Sequence, residues 1–462
     1  MNLNHVRAKH TLREASYRNF ANAQGGQVIM LTSEHNARVQ DCVGMHDNDR
    51  ENRLLIFAPW CYGHHPTYLR HLINHWCQSQ LKGNLDIVVL PSFLHKHEDV
   101  VKLAQKSKTI RFVATTLEEQ SALESATSNV ARAFQQYQLI SKYAKQLQAT
   151  QGLVLYFDSC LLPLVLGAKF PCPFSGIYYR PTLHYSSFPN YTPSWKERIQ
   201  AWKERVFLFR IQRNPSVKAL LSLDPFAVKS IEKLGGKTNV VHLPDPAPGG
   251  YAADHSVENL KQRLGIDSSR KVFLCFGRLS EGRKGIPQLV DAISTLPTAL
   301  CQKLCLLFAG EPQGAGNERL ETWLAPIREL QSVQIVNCSG YIPESAVPIY
   351  FQLADVVLAP YQKHVGMSGI LLQAAAAGKP VLSSDYGLMG EMVRRYQLGL
   401  AVDSTQVNEL AKGITVLLSQ PLETIGDRTQ MQMLIEQNSV EQFANTIFQT
   451  LRLFWSYGYK QT

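Results

Sequence analysis

The sequence predicts an α/β protein built from two doubly wound parallel-sheet domains facing a cleft. Three observations carry this. Continuous apolar runs of strand length, bounded by Gly or Pro turns, alternate with segments of helical period. The alternation occurs twice, on either side of a Pro-, Gly- and Ala-rich stretch, "HLPDPAPGGYAADHS". A chain of 462 residues is too long for one ordinary core and fits roughly two domains of about 150–200 residues.

Residues 1–50 are polar and aperiodic and read as an N-terminal extension. The first domain, 51–245, opens on the apolar strand "NRLLIFAPW" and the Gly-containing turn "CYGHHP". In "TYLRHLINHWCQSQL" the residues Tyr68, Leu69, Leu72, Ile73 and Trp76 recur at helical spacing. "LDIVVLP", "GLVLYFD" and "FSGIYY" read as further strands. The second domain, 246–430, repeats the pattern. Its strands are "KVFLCFGRL", "KLCLLFAGE", "SVQIVNCSGYI", "DVVLAPY" and "KPVLSS". Its helices are "GIPQLVDAISTL", "ESAVPIYFQLA" and "SGILLQAAAAG". Residues 431–462 hold a closing amphipathic helix, "EQFANTIFQTLRLFWSYGY". Open sheets of this wiring bind ligands at the C-terminal ends of their strands.

An apolar content of 45% with 18% charged residues is ordinary for a soluble globular protein. No apolar run reaches the roughly 18 residues of a membrane span. The first twenty residues contain no apolar core of a secretory signal. A cytoplasmic location is therefore expected, and the nine cysteines fit a reducing compartment. Cys301 and Cys305, four apart, read as buried small hydrophobes rather than a metal pair. Charge is uneven. Residues 1–255 carry 29 Lys+Arg against 19 Asp+Glu, which leaves 18 of each in residues 256–462. The first half thus holds the whole excess and is expected to meet something anionic, such as a membrane surface or an acidic acceptor. No nucleic-acid recognition module is visible.

Arg278 ends a strand, and Lys284 follows six residues later beside Gly285 at the mouth of a helix. A fork of donors and a point charge on adjoining turns suit a diphosphate. The turn Gly366–Gly369 opens a helix whose first N–H groups have no intrahelical partner and favour a phosphate or sugar hydroxyl. With "CSGYIP", "ADVVLAPY" and "SGILLQAAAAGKPVLSSDYGLMGEMV" in this order and at these distances, residues 270–402 resemble the nucleotide-binding half of a retaining glycosyltransferase with two Rossmann-like domains, the GT-B fold. The resemblance is to the group 1 (family 4-like) enzymes, which include sucrose synthase-like, mannosyl- and lipopolysaccharide glucosyltransferases. It implies a nucleotide-sugar donor as substrate, no cofactor or metal, and a glycolipid, polysaccharide or other glycan acceptor. Arg278 and Lys284 then hold the leaving diphosphate. Tyr341 and Ile342 pack on the base. Ser368, Gly369 and Ile370 meet the distal phosphate and sugar.

The family's paired glutamates, eight positions apart, are altered here. Their places fall at Val365 and Gln373, and no acidic residue lies between Asp355 and Asp385. Gln373 keeps a carbonyl acceptor and loses charge assistance, a difference of about 1 kcal/mol. Val365 offers nothing polar, and His364 or the Gly366 backbone is its substitute. A glutamate does remain at Glu391, with a structural role or a donor contact. Loss of the first carboxylate does not end catalysis, because enzymes of this kind need no protein nucleophile. The leaving phosphate takes the acceptor proton, and the protein positions and stabilises.

In the first half the resemblance is loose. It places Gly63 and His64 on a phosphate or acceptor loop, with His64 alternatively a capping residue. Arg180 and His184 follow a strand and are expected to face the cleft, Arg180 with the acceptor or phosphate loop and His184 as a candidate for the donor sugar. In "PSWKERIQAWKERVFLFRIQRNP", Trp195, Ile199, Trp202, Val206 and Phe209 form one helical stripe among Lys196, Arg198, Lys203, Arg205, Arg210 and Arg213. This fits an interfacial membrane helix over Trp195–Arg213, on the inner face of a membrane; the alternative is packing against the first-domain sheet. A non-catalytic GT-B module that binds a partner or a sugar nucleotide is the main rival to an enzyme. An epimerase or a phosphorylase on the same fold is a lesser one.

Overall fold

A computed structural model describes residues 28–30, 52–189, 191–249, 251, 256–279, 282–311, 316–330 and 332–455. These residues form two compact units. The first combines the chain up to Tyr179 with Ile199–Leu243 and the chain from Ala444 onward; the second combines Arg180–Arg198 with Pro244–Phe443.

The first unit is built on an eight-stranded sheet. Its strands are β1 (Val28–Met30), β2 (Arg53–Ala58), β3 (Asn84–Val89), β4 (Ile110–Ala114), β5 (Gln151–Val154), β6 (Phe174–Tyr178), β7 (Val217–Ser222) and β8 (Asn239–His242). All pairings are parallel, in the order β1-β4-β3-β2-β5-β6-β7-β8. The second unit has six strands: β9 (Lys271–Phe276), β10 (Leu304–Gly310), β11 (Gln334–Ser339), β12 (Val356–Ala359), β13 (Val381–Ser384) and β14 (Gly399–Val402). They too are all parallel, in the order β11-β10-β9-β12-β13-β14. Both are doubly wound sheets, as the alternation of apolar runs and helical segments predicts.

Each sheet reverses its winding at one point, between β2 and β5 in the first unit and between β9 and β12 in the second. Loops leaving the strands there diverge and open a crevice, so each unit has one topologically favoured ligand position.

The cores follow the sequence patterns. The helix His65–Gln78 buries Tyr68, Leu69, Leu72, Ile73 and Trp76, the five residues of its predicted face. Each contributes on the order of 1.5–3 kcal/mol of burial. In the second unit the strand runs Val272–Leu274 and Leu304–Ala309 are buried throughout, as expected for strands covered on both faces. The helix Val440–Trp455 buries Phe443, Ala444, Ile447, Phe448 and Leu451. Its Leu451 carbonyl accepts from Gln151 Nε2 at 3.2 Å, and Phe448 stacks on His75. In the linker stretch the Asp245 amide donates to Asn438 Oδ1, and Ala247 forms a single bridge with Ser439.

The structure adds elements that the sequence reading omits. Val28–Met30, inside the segment read as an extension, pairs with Phe112–Ala114 at the sheet edge. A three-residue strand is too short to leave a periodic signature and is fixed by its partner. Cys301 and Cys305 are both buried, but only Cys301 is helical; Cys305 lies on β10.

Candidate functional site

The best-furnished site lies at the switch point of the second unit, where the loops after β9 and β12 meet. They are stitched together closely. Gly285 has φ +72°, and a Cβ there would lie 2.0 Å from the Pro360 carbonyl oxygen, so only glycine fits. The Gln362 amide donates to Arg283 O at 2.7 Å, and Gln362 Nε2 donates to Ser404 O. Lys284 sits on the 3₁₀ turn Gly282–Lys284 and is buried. Its Nζ donates to Phe276 O at 2.8 Å and to the Tyr361 hydroxyl at 2.6 Å, and stands 4.5 Å from the centre of the Tyr361 ring. Two of its three donors are therefore used, both on neutral oxygens. Among the described residues no carboxylate pairs with it. A buried ammonium held this way is a preformed seat for an anion, since burying charge is costly until it is paired.

A second cation stands beside it: the Arg283 guanidinium lies 5.4 Å from the Tyr361 ring centre. His364 lies edge-on to the same ring, at 5.5 Å. Burial, then the positive charges of Arg283, Arg180 and Lys284, push its imidazole down to about 4, against a contact with the Met367 carbonyl that raises it. His364 is therefore neutral at pH 7. The three cations that depress it mark a positive field around the turn that follows.

That turn is Gly366–Gly369. Gly366 has φ +96° and donates its amide to the Tyr185 hydroxyl at 3.2 Å. Ser368 is buried, caps the helix Gly369–Ala376 without a side-chain bond, and accepts from the Leu371 amide. No protein acceptor is found for the Gly369 and Ile370 amides among the described residues. Ala374 and Ala375 are buried, as close helix–sheet packing requires.

Arg180–Arg198 clusters with this unit although it precedes the linker in sequence. Tyr185 supplies the link through Gly366, and its ring lies against Gly387. His184 is buried edge-on to Tyr185 and Phe188. Tyr191 and Tyr386 complete the aromatic cluster, and Tyr386 donates to Glu197 at 2.6 Å. Burial raises the Glu197 carboxyl, but donation from Ser194 and Tyr386 outweighs it and holds the group below its usual range.

The structure brings Lys284, Ser368, Gly369, Ile370, Arg180 and His184 into this neighbourhood. Arg278 leaves β9 two residues after its end and is half-buried. Tyr341 is 78% exposed on the loop after β11, with Ile342 half-buried beside it. Gln373 is the fifth residue of the helix Gly369–Ala376 and is already engaged: its Oε1 accepts from the Tyr251 hydroxyl. Glu391 pairs with Arg394 at 3.5 Å on its own helix, Gly387–Arg395. Gly63 and His64 belong to the first unit, at the turn after β2. Gly63 has φ +70° and open space around it, and His64 is the exposed N-cap of the helix His65–Gln78, with no side-chain cap bond. Its neighbour His65 is buried and pushed down to about 3 by burial and by the His64 charge.

Sequence reasoning missed Tyr361, Arg283, Tyr251 and Tyr185. Tyr361 and Arg283 carry a usable signal, an aromatic two residues after a buried strand and a cation next to Lys284. Tyr251 and Tyr185 act across 122 and 181 residues and leave none.

Residues 256–433 match the family of glycosyl transferases group 1. The chain is 26% identical over 261 residues to a 2-deoxystreptamine glucosyltransferase of Streptomyces kanamyceticus, covering 54% of this chain and 64% of that one. It is 30% identical over 154 residues to a lipopolysaccharide 1,2-N-acetylglucosaminetransferase of Salmonella typhimurium, covering 32% and 39%. The matched segments thus span less than two thirds of these relatives. Among solved structures, Anabaena HepE in complex with UDP and glucose superposes with a TM-score of 0.59 at 15% identity, over 87% of this chain and 99% of that one. An α,α-trehalose-phosphate synthase (UDP-forming) from Burkholderia vietnamiensis gives 0.63 at 12% identity, over 89% and 100%. At such identity the superpositions speak for the fold, two Rossmann-like units of the GT-B type. On that fold, the unit carrying residues 256–433 belongs to the glycosyl transferases group 1 family.

Proposed function

We propose that the protein is a retaining glycosyltransferase that moves a sugar from a nucleotide-sugar donor to a glycolipid, polysaccharide or other glycan acceptor. The observation that carries this reading is the buried Lys284, which pairs with no carboxylate among the described residues, beside Arg283 and Arg180 and near His364 ahead of the Gly366–Gly369 turn. A diphosphate supplies the missing negative charge. The third donor of Lys284, the guanidinium of Arg278 and the Gly369 and Ile370 amides stabilise it as it leaves. With this cation cluster no divalent metal is required. His364, neutral and next to the place of the absent carboxylate, offers a hydrogen bond to the donor sugar, with His184 behind it. Tyr341 and Ile342 flank the base. The acceptor hydroxyl passes its proton to the departing phosphate on the face it attacks, so the anomeric configuration is kept. Gly63 and His64 serve the acceptor. A lipid-linked acceptor would hold the protein on the cytoplasmic face of a membrane.

A second reading, a non-catalytic module, is favoured by one observation: Gln373, in place of a ribose-binding glutamate, spends its carbonyl on Tyr251. Incubation with nucleotide-sugars separates the two. An enzyme slowly releases free nucleotide, and Arg278→Ala abolishes the release. A module releases none with any donor. Nuclear magnetic resonance of the glycosylated product tests retention, and an inverted anomer would overturn it.

A further inference from the structure

The helix Trp195–Ile211 carries two apolar faces, and only one of them is used in folding. The inward face holds Leu208 and Ile211, both fully buried. The two acids of the helix also turn inward: Glu204 is buried and accepts from the Tyr178 hydroxyl at 2.8 Å, and Glu197 accepts from Tyr386. The outward face holds Ile199, Trp202, Val206 and Phe209 at spacings of three and four, with Trp195 one turn earlier. All five are exposed, Trp195 by 67% and Trp202 by 63%. Leu166, 66% exposed, follows Val165, whose carbonyl accepts from Arg210 Nε at 2.7 Å.

Cations edge this stripe on both sides. On a helical projection Lys196, Lys203 and Arg210 fall on one flank, and Arg198 and Arg205 on the other. Arg213 lays its guanidinium over the Phe209 ring at 3.6 Å. On the same projection Glu197 and Glu204 fall on the side opposite the apolar stripe.

We propose that this face docks the protein on an anionic lipid bilayer, with the Trp and Phe rings at the headgroup level and the Lys and Arg ends among lipid phosphates. The proposal deepens the lipid-linked acceptor reading and rests on it for its purpose, but not for its structural basis. The chemistry selects the occupant. A second copy of this chain would set one row of cations against another. A nucleic acid would match the charge but leave Ile199, Val206 and Phe209 against polar backbone. An anionic bilayer satisfies the charged rim and the apolar centre together.

Co-sedimentation of the full chain with vesicles of phosphatidylcholine alone, and with an equal part of phosphatidylglycerol, tests this. Binding is expected only to the anionic vesicles, to weaken as salt is added, and to shift Trp emission to the blue. In Trp202→Glu/Phe209→Glu it should fall by at least about tenfold, with circular dichroism and nucleotide affinity unchanged. Lys196→Glu/Lys203→Glu, which leaves the apolar centre intact, should lower it and remove part of its salt dependence. Equal binding of wild type and the first double variant, equal binding to both vesicle types, or no binding would overturn the proposal. So would a wild-type dimer in light scattering that the first double variant dissolves. Loss of nucleotide binding in wild type would instead count against the donor reading.

Discussion

The two switch points of this molecule share their wiring and differ in their lining. Both sit where a parallel sheet reverses, and both follow the first strand of that reversal with a glycine at positive φ, Gly63 and Gly285. In the first unit the turn presents Tyr62 and His64 to solvent above a buried, neutral His65. In the second, a neutral histidine again sits in the crevice, but Arg283, Arg180 and Lys284 surround it. The fold provides a crevice in each case, and the side chains decide what enters it. An exposed turn of aromatic rings suits a sugar or another polyol. A buried lysine flanked by two exposed arginines near a helix N-terminus suits a diphosphate. Rossmann-like wiring alone therefore says little about chemistry.

The contrast can be broken most directly at Lys284. Lys284→Met should lower nucleotide-sugar affinity by about 2–5 kcal/mol, because it removes a desolvated charge from an ionic contact. Titration calorimetry reads this, and an unchanged affinity would remove the reason for treating the two crevices differently.

The next effect is on pH dependence. The His364 imidazole titrates near 4 in the folded protein against an ordinary 6.5. Its contribution to stability is thus complete above pH 6.5 and is lost as pH falls toward 4, where the unfolded chain binds the extra proton. The loss approaches roughly 3 kcal/mol. His364→Gln should flatten that part of a denaturation-against-pH curve. A bound diphosphate raises the same group, so sugar-nucleotide affinity should rise as pH falls from 6.5. A fall would contradict the placement of the anion.

Tyr185→Phe should cost about 0.5–1.5 kcal/mol of stability by leaving the Gly366 amide without its acceptor, measured by urea denaturation. Smallest is His64→Ala: nucleotide affinity should stay the same within error, while the KM for acceptor rises. If nucleotide affinity falls instead, the first crevice also meets the donor and the division of labour fails.

Much of this was legible in the sequence where the signal is local. The five buried residues of the helix His65–Gln78 declare themselves by spacing. The strands from Lys271 to Ser384 announce themselves as apolar runs, and Lys284 and the Gly366–Gly369 turn follow from strand ends and glycines. Long-range pairing left no such trace. The attachment of Arg180–Arg198 to the second unit includes hydrogen bonds across 181 and 189 residues, from Gly366 to Tyr185 and from Tyr386 to Glu197. Short strands such as Gly399–Val402 are fixed by their neighbours rather than by period. The stripe Trp195–Phe209 was visible as a pattern, but its direction was not. Packing is done instead by Leu208 and Ile211 on the opposite side, which a single-face reading cannot separate.

The central claim is that the second crevice holds a nucleoside diphosphate-sugar. Thermal unfolding of the full chain with UDP-, GDP-, ADP- and dTDP-sugars, with Arg278→Ala as control, tests it most directly. A donor at about 100 times its Kd should add close to 2.7 kcal/mol. A rise in Tm with one nucleotide, absent in the variant, is the expected result. No rise with any of the four would contradict it.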